Sequence, residues 1–166
     1  MARLSRLSAI DMALLRVLRT RLHQPPLERA VVAFTRLGEH GALWLAIAGA
    51  GAALDPTGRP AYRRTARVVL LAYALNTAIK YGVRRARPRL EDLPPLTSTV
   101  SRLSYPSAHA ATSFAGAGAL ARRLPGRPLQ ALAVAMAATR PYVGVHYPSD
   151  VVAGAALGSA LEVLAP

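Results

Sequence analysis

Five apolar segments separated by basic turns constrain the fold of this 166-residue chain more than any other feature of its sequence. They cover about residues 41–54, 66–80, 108–121, 129–139 and 149–165. Each is shorter than the ~20 residues that cross a bilayer comfortably, although flanking turns with snorkelling arginines would extend the second to 61–83. Ala- and Gly-rich faces allow close helix approach, as membrane interfaces often do. We predict an all-α helical bundle, integral to the membrane, with about five transmembrane helices; a soluble bundle of short helices is the alternative.

The balance of charge and aromatic content supports the membrane interpretation. The chain is 52% hydrophobic, yet it has a formal net charge of +13. Nucleic-acid-binding domains of such charge normally interleave aromatic side chains for stacking, but only 5% of these residues are aromatic. Arginines in loops that face anionic headgroups explain the charge better. We expect a multi-pass protein of the cell membrane with membrane lipids as partners and no nucleic-acid partner; the sequence carries no prediction of oligomeric state.

The first 38 residues have an amphipathic rather than an apolar pattern. Ser8 and Asp11 have the spacing of a capping box, which predicts that a helix begins there, and Pro25 and Pro26 are expected to end it. The apolar face of this helix would hold Ile10, Leu14, Leu15, Leu18 and Leu22. We predict one or two amphipathic helices over residues 1–38, either packed on the bundle or lying at the membrane surface. Residues 39–166 would form the bundle within the same single domain.

Three short segments supply the polar groups that the apolar segments lack. The first places Lys80 and Arg87 on either side of six residues, the second is Pro106–His109, and the third is Thr139–Asp150. Together they contain three cations, two imidazoles and a carboxylate near one imidazole, the inventory needed to hold a phosphate and pass it through a histidine. With five spans, all three segments fall on the same side of the membrane, as a single site requires.

The cationic side chains are predicted to bind phosphate oxygens. Lys80 and Arg87 are two helical turns apart and share a face, and Arg140 would supply a second bidentate guanidinium. Pro88 and Pro141 are expected to push the preceding arginines out of helical geometry, so that both long side chains can turn into a pocket. The other arginines of the first segment are interpreted as a loop charge cluster: Arg84, Arg85 and Arg89.

The second segment is predicted to open a helix. Ser107 precedes an apolar run and suits the N-cap position, so the amides of Ala108 and His109 would point at the positive end of the helix dipole and bind an anion. His109 would stand at the rim of the site, where it can give a proton to a departing oxygen.

The third segment pairs an imidazole with a carboxylate. Asp150, in the first turn of a helix, is expected to accept a hydrogen bond from one ring nitrogen of His146, which fixes the tautomer and leaves the other nitrogen free to attack phosphorus. The remaining histidines, His23 and His40, fit no metal-ligand spacing and are interpreted as incidental. No metal or other cofactor is expected, because the cations are side chains.

The three segments together resemble the signature of the type 2 phosphatidic acid phosphatase superfamily, whose site is shared with vanadium haloperoxidases. That signature is Lys-x6-Arg-Pro, then Pro-Ser-Gly-His, then Ser-Arg-x5-His-x3-Asp; here Ala108 replaces the glycine and Thr139 the first serine. Ala108 is compatible with the pattern if its φ is negative. The resemblance covers about residues 40–160 and implies His146, His109 and Asp150 as catalytic residues. It implies Lys80, Arg87, Ser107, Ala108 and Arg140 as phosphate-binding residues.

The resemblance implies a membrane phosphatase that hydrolyses a phosphomonoester of a lipid or polyprenyl-linked substrate through a phosphohistidine. In size and composition the chain is similar to small members of the family that act on decaprenylphosphoryl-5-phosphoribose, in the synthesis of cell-wall arabinan precursors. An isoprenyl diphosphate phosphatase and a phosphatidate-type phosphatase are the alternatives within this chemistry. A vanadate-dependent haloperoxidase and a catalytically silent protein that binds lipid phosphates are more distant ones.

The distribution of arginines predicts which way the site faces. With Lys80, Arg87 and Arg140 set aside, more arginines fall on the side of the motifs than on the opposite side, which favours a cytoplasmic site under the positive-inside rule. Residues 88–105 form the longest polar loop on that side and are expected to act as a lid or substrate-entry element.

Overall fold

The computed structural model describes residues 2–21 and 24–164, with side chains from residue 8 onward. Within these residues the chain forms seven α-helices and no β-strand, which confirms the all-α prediction. The helices are α1 (Ala2–Arg21), α2 (Pro25–Leu37), α3 (Ala42–Leu54), α4 (Arg59–Val83), α5 (Ala108–Leu120), α6 (Gly126–Tyr142) and α7 (Pro148–Leu164). Two short 3-10 turns, Glu39–Gly41 and Pro56–Gly58, precede α3 and α4.

Helix α5 lies at the centre of the bundle and contacts α4, α6 and α7. Its sequence is rich in Ala and Gly, and most of its residues are buried. The approach of α7 is close enough that glycine is required on the facing side. A Cβ added at Gly154 would lie 2.4 Å from the Ser107 carbonyl oxygen, and one at Gly158 would lie 2.1 Å from that of Ala111. The small residues of the apolar segments therefore set how closely the helices pack.

A larger hydrophobic cluster anchors the other end of α5. Trp44, Tyr62 and Leu120 are buried in it, and α3, α4, α5 and α6 all contribute residues. The Trp44 indole is fully buried and donates from Nε1 to Ser113 Oγ at 2.9 Å, so its polar atom is satisfied. This cluster fixes the bundle at the end remote from the first turn of α5.

The five predicted apolar segments correspond to α3 through α7. Helix α4 extends over the longest stretch that the sequence suggested, and the others are shorter, from 13 to 17 residues. In the described part of the chain, no helix combines the length and the hydropathy that a membrane crossing requires.

The N-terminal helix differs from its prediction in two respects. Helix α1 runs through Ser8 and Asp11, so the capping-box prediction is wrong. Its buried positions are Asp11, Leu15 and Arg19, whereas the supposedly apolar face leaves Ile10 and Leu14 exposed. The physical reason is that polar side chains of α1 bind partners on other elements, which outweighs the local apolar pattern.

Pro25 and Pro26 begin the second helix, whereas they were expected to end the first. Helix α1 ends at Arg21, and Pro25 opens α2, where the missing amide of a first-turn proline removes no helical hydrogen bond. Both N-terminal helices contact α6, so they pack on the bundle.

A long loop, residues 84–107, joins α4 to α5 across one end of the bundle. It begins with Arg84 in the left-handed conformation (φ 55°) and contains an isolated antiparallel bridge between Ala86 and Leu103. The C-terminal ends of α4 and α6 and the N-terminal ends of α5 and α7 meet this loop, which brings all three polar segments to the same end.

Candidate active site

The three polar segments meet around a cavity of about 130 Å³. Six of the eight predicted site residues line it: Lys80, Arg87, Ala108, His109, Arg140 and His146. The other two, Ser107 and Asp150, are fully buried behind its wall. Because pockets for whole drug-sized ligands enclose roughly 300–1,000 Å³, this cavity suits a small group such as a phosphate rather than an entire lipid.

Lys80 holds the loop that forms one wall of the cavity. Its ammonium donates to the carbonyl oxygens of Pro106 at 3.0 Å and of Leu103 and Ser104 at 3.3 Å each. A lysine has three N–H donors, so these contacts engage all of them. Lys80 therefore fixes the approach to α5 while its charge faces the cavity.

Arg87 bridges the loop and the third segment. Its Nε donates to the Ser101 carbonyl at 2.8 Å, and its Nη1 donates to the Val145 carbonyl at 2.7 Å. Burial lowers the pKa of Arg87 to about 10, which leaves the guanidinium charged at neutral pH. The prediction that Arg87 lies beyond the end of its helix is confirmed, because α4 ends at Val83.

Arg140 reaches the cavity from inside a helix, which corrects the expectation that Pro141 would push it out. Helix α6 continues through Pro141 to Tyr142. A proline this close to the C-terminal end removes only one helical hydrogen bond, and the buried Arg140 side chain has its own partner to hold it. Its Nη1 donates to Thr35 Oγ1 at 2.7 Å, while its buried Nε has no hydrogen-bond partner among the described residues.

The tautomer of His146 follows from its neighbour. The ring Nε2 lies 3.1 Å from Arg87 Nη1. A guanidinium only donates, so we assign Nε2 as the acceptor and place the ring proton on Nδ1. Burial, together with the charges of Arg87, Arg140 and Lys80, holds the pKa of His146 well below its usual range. The ring is therefore neutral, with a lone pair on Nε2, which is the form a nucleophile needs.

Asp150 stands beside His146, but its firm contacts are with other groups. Its Oδ2 is 3.4 Å from His146 Nδ1, longer than a good hydrogen bond, and accepts from the Tyr147 amide at 2.9 Å. Its Oδ1 accepts from Arg85 Nη1 at 2.8 Å. The expected carboxylate–imidazole pair is thus present as a close approach, with Arg85 as the principal partner of Asp150.

Arg85 is the centre of an ion network that the sequence interpretation missed. It binds Asp150 on one side and Asp11 Oδ2 at 2.7 Å on the other, and its guanidinium lies 4.0 Å from the ring centroid of Tyr147. Its interpretation as a loop charge was therefore wrong. Asp11 also accepts from the amide of Ser149 at 3.0 Å, so a carboxylate of α1 caps the first turn of α7.

The start of α5 has the geometry that its sequence predicts. Ser107 is the N-cap, with extended φ and ψ, and its Oγ accepts from the Ala110 amide at 3.5 Å. Ala108 is the first helical residue and does not have a positive φ, so the replacement of glycine introduces no strain. His109 is buried in the cavity wall rather than standing at its rim, and its Nε2 donates to the Thr35 carbonyl at 3.0 Å.

Thr35 was not identified from the sequence, yet it touches two predicted site residues. Its carbonyl binds His109 and its hydroxyl binds Arg140, and the hydroxyl also lies 2.8 Å from Thr139 Oγ1. No local signal marks Thr35, since it is one polar residue in the last turn of an amphipathic helix.

His40 also contradicts its interpretation as incidental. It lines the cavity together with Glu39 and Tyr73, and its Nδ1 lies 2.8 Å from the Tyr73 hydroxyl. His23 lies outside the described residues. Within the part of the chain that the structure describes, no group of three or more His, Asp and Glu side chains is placed to hold a metal ion.

Comparison with known proteins adds to this geometry. Residues 62–166 match the PAP2 superfamily. The decaprenylphosphoryl-5-phosphoribose phosphatase of Mycolicibacterium smegmatis is 45% identical over 123 residues, which are 74% of this chain and 68% of the relative. The protein of the same name from Mycobacterium tuberculosis is 40% identical over 131 residues, 78% of this chain and 73% of the relative. The crystal structure of a transmembrane PAP2 type phosphatidylglycerolphosphate phosphatase from Bacillus subtilis superimposes with a TM-score of 0.76 at 27% identity, covering 96% of this chain and 84% of that one.

Proposed function

This chain belongs to the PAP2 superfamily and is a lipid phosphate phosphatase, and on that premise we propose that its substrate is decaprenylphosphoryl-5-phosphoribose. The observation that carries the phosphatase reaction is the position of His146 Nε2, which lies 3.1 Å from Arg87 Nη1 in a small cavity that Lys80 and Arg140 also line. The identity of 40–45% with two phosphatases of that name, over about three quarters of this chain, supports the choice of lipid.

Phosphate binding is proposed to replace contacts that the site residues make with one another. The Arg87 guanidinium exchanges its contact with His146 Nε2 for an equatorial phosphate oxygen, which frees the lone pair. Arg140 binds a second oxygen through its unpartnered Nε, and Lys80 contributes its charge. The backbone amides at the start of α5 complete the anion site, because the helix dipole is positive there.

The reaction is proposed to proceed in two in-line displacements. His146 Nε2 attacks phosphorus, and a P–N bond forms as the P–O bond to the sugar breaks. His109 Nδ1 relays the proton of the bound phosphate monoanion to the leaving oxygen, while its Nε2 stays engaged by Thr35. A water then attacks the phosphohistidine, loses its proton to His109 and releases phosphate from Nε2. Asp150 stabilises the positive ring of the intermediate from 3.4 Å.

We also propose that the chain works as a single domain in the cell membrane, with the cavity on the cytoplasmic side. Support comes from the similar Bacillus subtilis phosphatase, which is a transmembrane protein, and from leucines on the outward face of α4, such as Leu70 and Leu71, which are 54% and 45% exposed. The excess of arginine on the side of the cavity supports the orientation.

Single cysteines at the two ends of the bundle test the orientation, because the chain has no cysteine of its own. Ser98→Cys lies at the cavity, in the loop between α4 and α5, and Gly126→Cys lies at the first residue of α6, at the opposite end of the bundle. In intact cells an impermeant thiol reagent should label position 126 and spare position 98. Labelling of position 98 alone would reverse the orientation.

The test of the substrate is a comparison of four lipids with the purified full chain in detergent. Phosphate release is measured from decaprenylphosphoryl-5-phosphoribose, decaprenyl phosphate, decaprenyl diphosphate and phosphatidate, with His146→Ala as the background. We expect kcat/KM to be highest for the phosphoribosyl lipid by about tenfold, a difference of about 1.4 kcal/mol in transition-state binding. A higher value for phosphatidate or for the diphosphate would assign the chain to another substrate.

A further inference from the structure

The cavity has a wall that the proposed mechanism does not use. It is formed by Glu39 and His40 from the turn before α3 and by Tyr73 from the middle of α4. Tyr73 precedes Lys80 by seven residues, which is two helical turns, so both side chains lie on one face of α4. A group joined to a phosphate at Lys80 would therefore lie beside Tyr73.

The aromatic pair in this wall is held in a defined position. His40 Nδ1 lies 2.8 Å from the Tyr73 hydroxyl, and the two rings meet edge to face with centroids 5.4 Å apart. A phenol hydroxyl can make more than one hydrogen bond, and a second nitrogen of the imidazole is not used in this contact. The pair consequently keeps polar capacity for a ligand after its mutual bond is made.

The backbone at His40 is in a conformation that a non-glycine residue rarely adopts. Its φ is 55°, and the next residue, Gly41, has a φ of 77°. A left-handed conformation is unfavourable for a residue with a side chain, and such outliers are concentrated at ligand sites. The turn thus holds a strained residue in the position that directs its ring toward Tyr73.

The charge of Glu39 is unexpected in a cavity built for an anion. Its exposed carboxylate lines the same cavity as Lys80 and Arg140, and its charge attracts the Arg140 guanidinium. A carboxylate repels a second phosphate and accepts hydrogen bonds from hydroxyl groups. Its position is explained if the group next to the phosphate carries hydroxyls and no further negative charge at that point.

We propose that Glu39, His40 and Tyr73 form a subsite for the hydroxyl groups of a sugar that carries the reacting phosphate. The subsite rests on the proposed phosphatase function, since it selects among substrates of the same reaction. It favours a phosphorylated sugar over a phosphate attached directly to a hydrocarbon, and Glu39 disfavours a diphosphate.

The experiment compares two lipids with the same tail, decaprenylphosphoryl-5-phosphoribose and decaprenyl phosphate, on the detergent-purified full chain. Tyr73→Phe removes only the hydroxyl and is expected to lower kcat/KM for the phosphoribosyl lipid about fivefold to tenfold, the effect of one hydrogen bond. Its kcat/KM for decaprenyl phosphate should stay within about twofold of wild type. Tyr81→Phe, on the same helix but outside the cavity, is the matched control and should change neither value.

A second pair of variants tests the other two residues. His40→Asn keeps a residue type that tolerates positive φ and should give the same selective loss as Tyr73→Phe. Glu39→Gln removes the negative charge and should raise kcat/KM for decaprenyl diphosphate severalfold relative to wild type.

Each outcome separates the subsite from the proposed function. Equal loss on both decaprenyl lipids in Tyr73→Phe, or no loss on either, overturns the subsite and leaves the phosphatase intact. If the wild-type chain hydrolyses the two lipids at equal rates, the subsite is also overturned and the phosphatase function stands. A wild-type chain that hydrolyses neither lipid, or only decaprenyl phosphate, overturns the proposed substrate and the subsite with it.

Discussion

The N-terminal helices α1 and α2 and the motif-bearing helices α4 to α7 build the same site in different ways. The second region, which the family match covers, supplies the residues that face the cavity, among them His146 and Arg140. The first region lies before the match and carries no motif, yet Thr35 binds Arg140, and Asp11 binds Arg85, which is itself the partner of Asp150. The residues of the proposed reaction can therefore be recognised from motifs. Some of the contacts that position them come from helices α1 and α2, which carry no motif.

The contacts from the first region are polar and buried or partly buried, so their loss should change the positions of the residues that line the cavity. Thr35 touches both Arg140 and His109, and Asp11 touches Arg85 and the first turn of α7. Arg19 donates to the carbonyls of Tyr142 and Pro94, which ties α1 to the end of α6 and to the loop. Removing one partner of a buried polar pair leaves the other unsatisfied, at about 1–3 kcal/mol.

The largest effect should come from the motif-bearing region. His146→Ala removes the proposed nucleophile and should lower kcat at least about a thousandfold, because no other group can form the covalent intermediate. Steady-state phosphate release measures the loss, and an unchanged melting temperature shows that the variant is folded. Activity within tenfold of wild type would remove His146 from its role.

A smaller loss should follow from Thr35→Val in the first region. The variant keeps the shape and the carbonyl that binds His109, but it loses the hydroxyl that accepts from Arg140. Hydrogen bonds to charged groups contribute about 1.5–3 kcal/mol, so we expect kcat/KM to fall by about tenfold or more. Thr20→Val, which alters an exposed hydroxyl bonded within α1, is the matched control. Equal behaviour of the two variants would show that α2 does not support the site.

Asp11→Asn should have a weaker effect that sharpens the comparison between buried and exposed ion pairs of α1. The Arg85 and Asp11 side chains are 25% and 7% exposed, whereas those of Arg16 and Asp92 are 53% and 55% exposed. We expect Asp11→Asn to lower kcat about fivefold with little change in KM, and Tm by about 2–4 °C. Asp92→Asn should change kcat less than twofold, because exposed ion pairs contribute about 0–1 kcal/mol. A larger effect at Asp92 would contradict this ranking.

The smallest expected effect is a change of kcat/KM with pH. Since the pKa of His146 is lowered, its neutral form persists below the usual imidazole pKa of about 6.5, and kcat/KM should fall less than about twofold between pH 7.5 and pH 6. The unfolded chain takes up this proton near pH 6.5 and the folded chain does not, so His146 also makes the folded state less stable as pH falls below that value. A pH–rate profile with an acidic limb at the usual imidazole pKa would show that the nucleophile is not held neutral.

The sequence predicted the helices of the second region because their signals are local. Apolar segments placed α3 to α7, and the N-cap at Ser107 was recognised from a serine before an apolar run. The spacing of the motifs also placed Arg87, Arg140 and His146 at one end of the bundle, where the structure has them. The helix and cap predictions depend on residues within a few turns of one another, and the placement of the motifs at one end follows from the number of helices between them.

The predictions that failed depended on distant partners. Ser149 binds Asp11 across 138 residues and Arg140 binds Thr35 across 105, and no periodicity in the sequence connects such pairs. Arg85 was taken for a loop charge because neither of its carboxylates is near it in sequence. His40 was set aside for lack of metal-ligand spacing, whereas its left-handed backbone and its bond to Tyr73 are tertiary facts.

The most direct test of the account is the stereochemical course at phosphorus, because its central claim is that the phosphoryl group passes through His146. The purified chain is given a substrate whose phosphate is chiral through oxygen isotopes and sulfur, and the configuration of the released thiophosphate is determined. Each in-line displacement inverts phosphorus, so two displacements through a phosphohistidine predict net retention. Net inversion would mean that water attacks the substrate directly, and it would contradict the proposed role of His146.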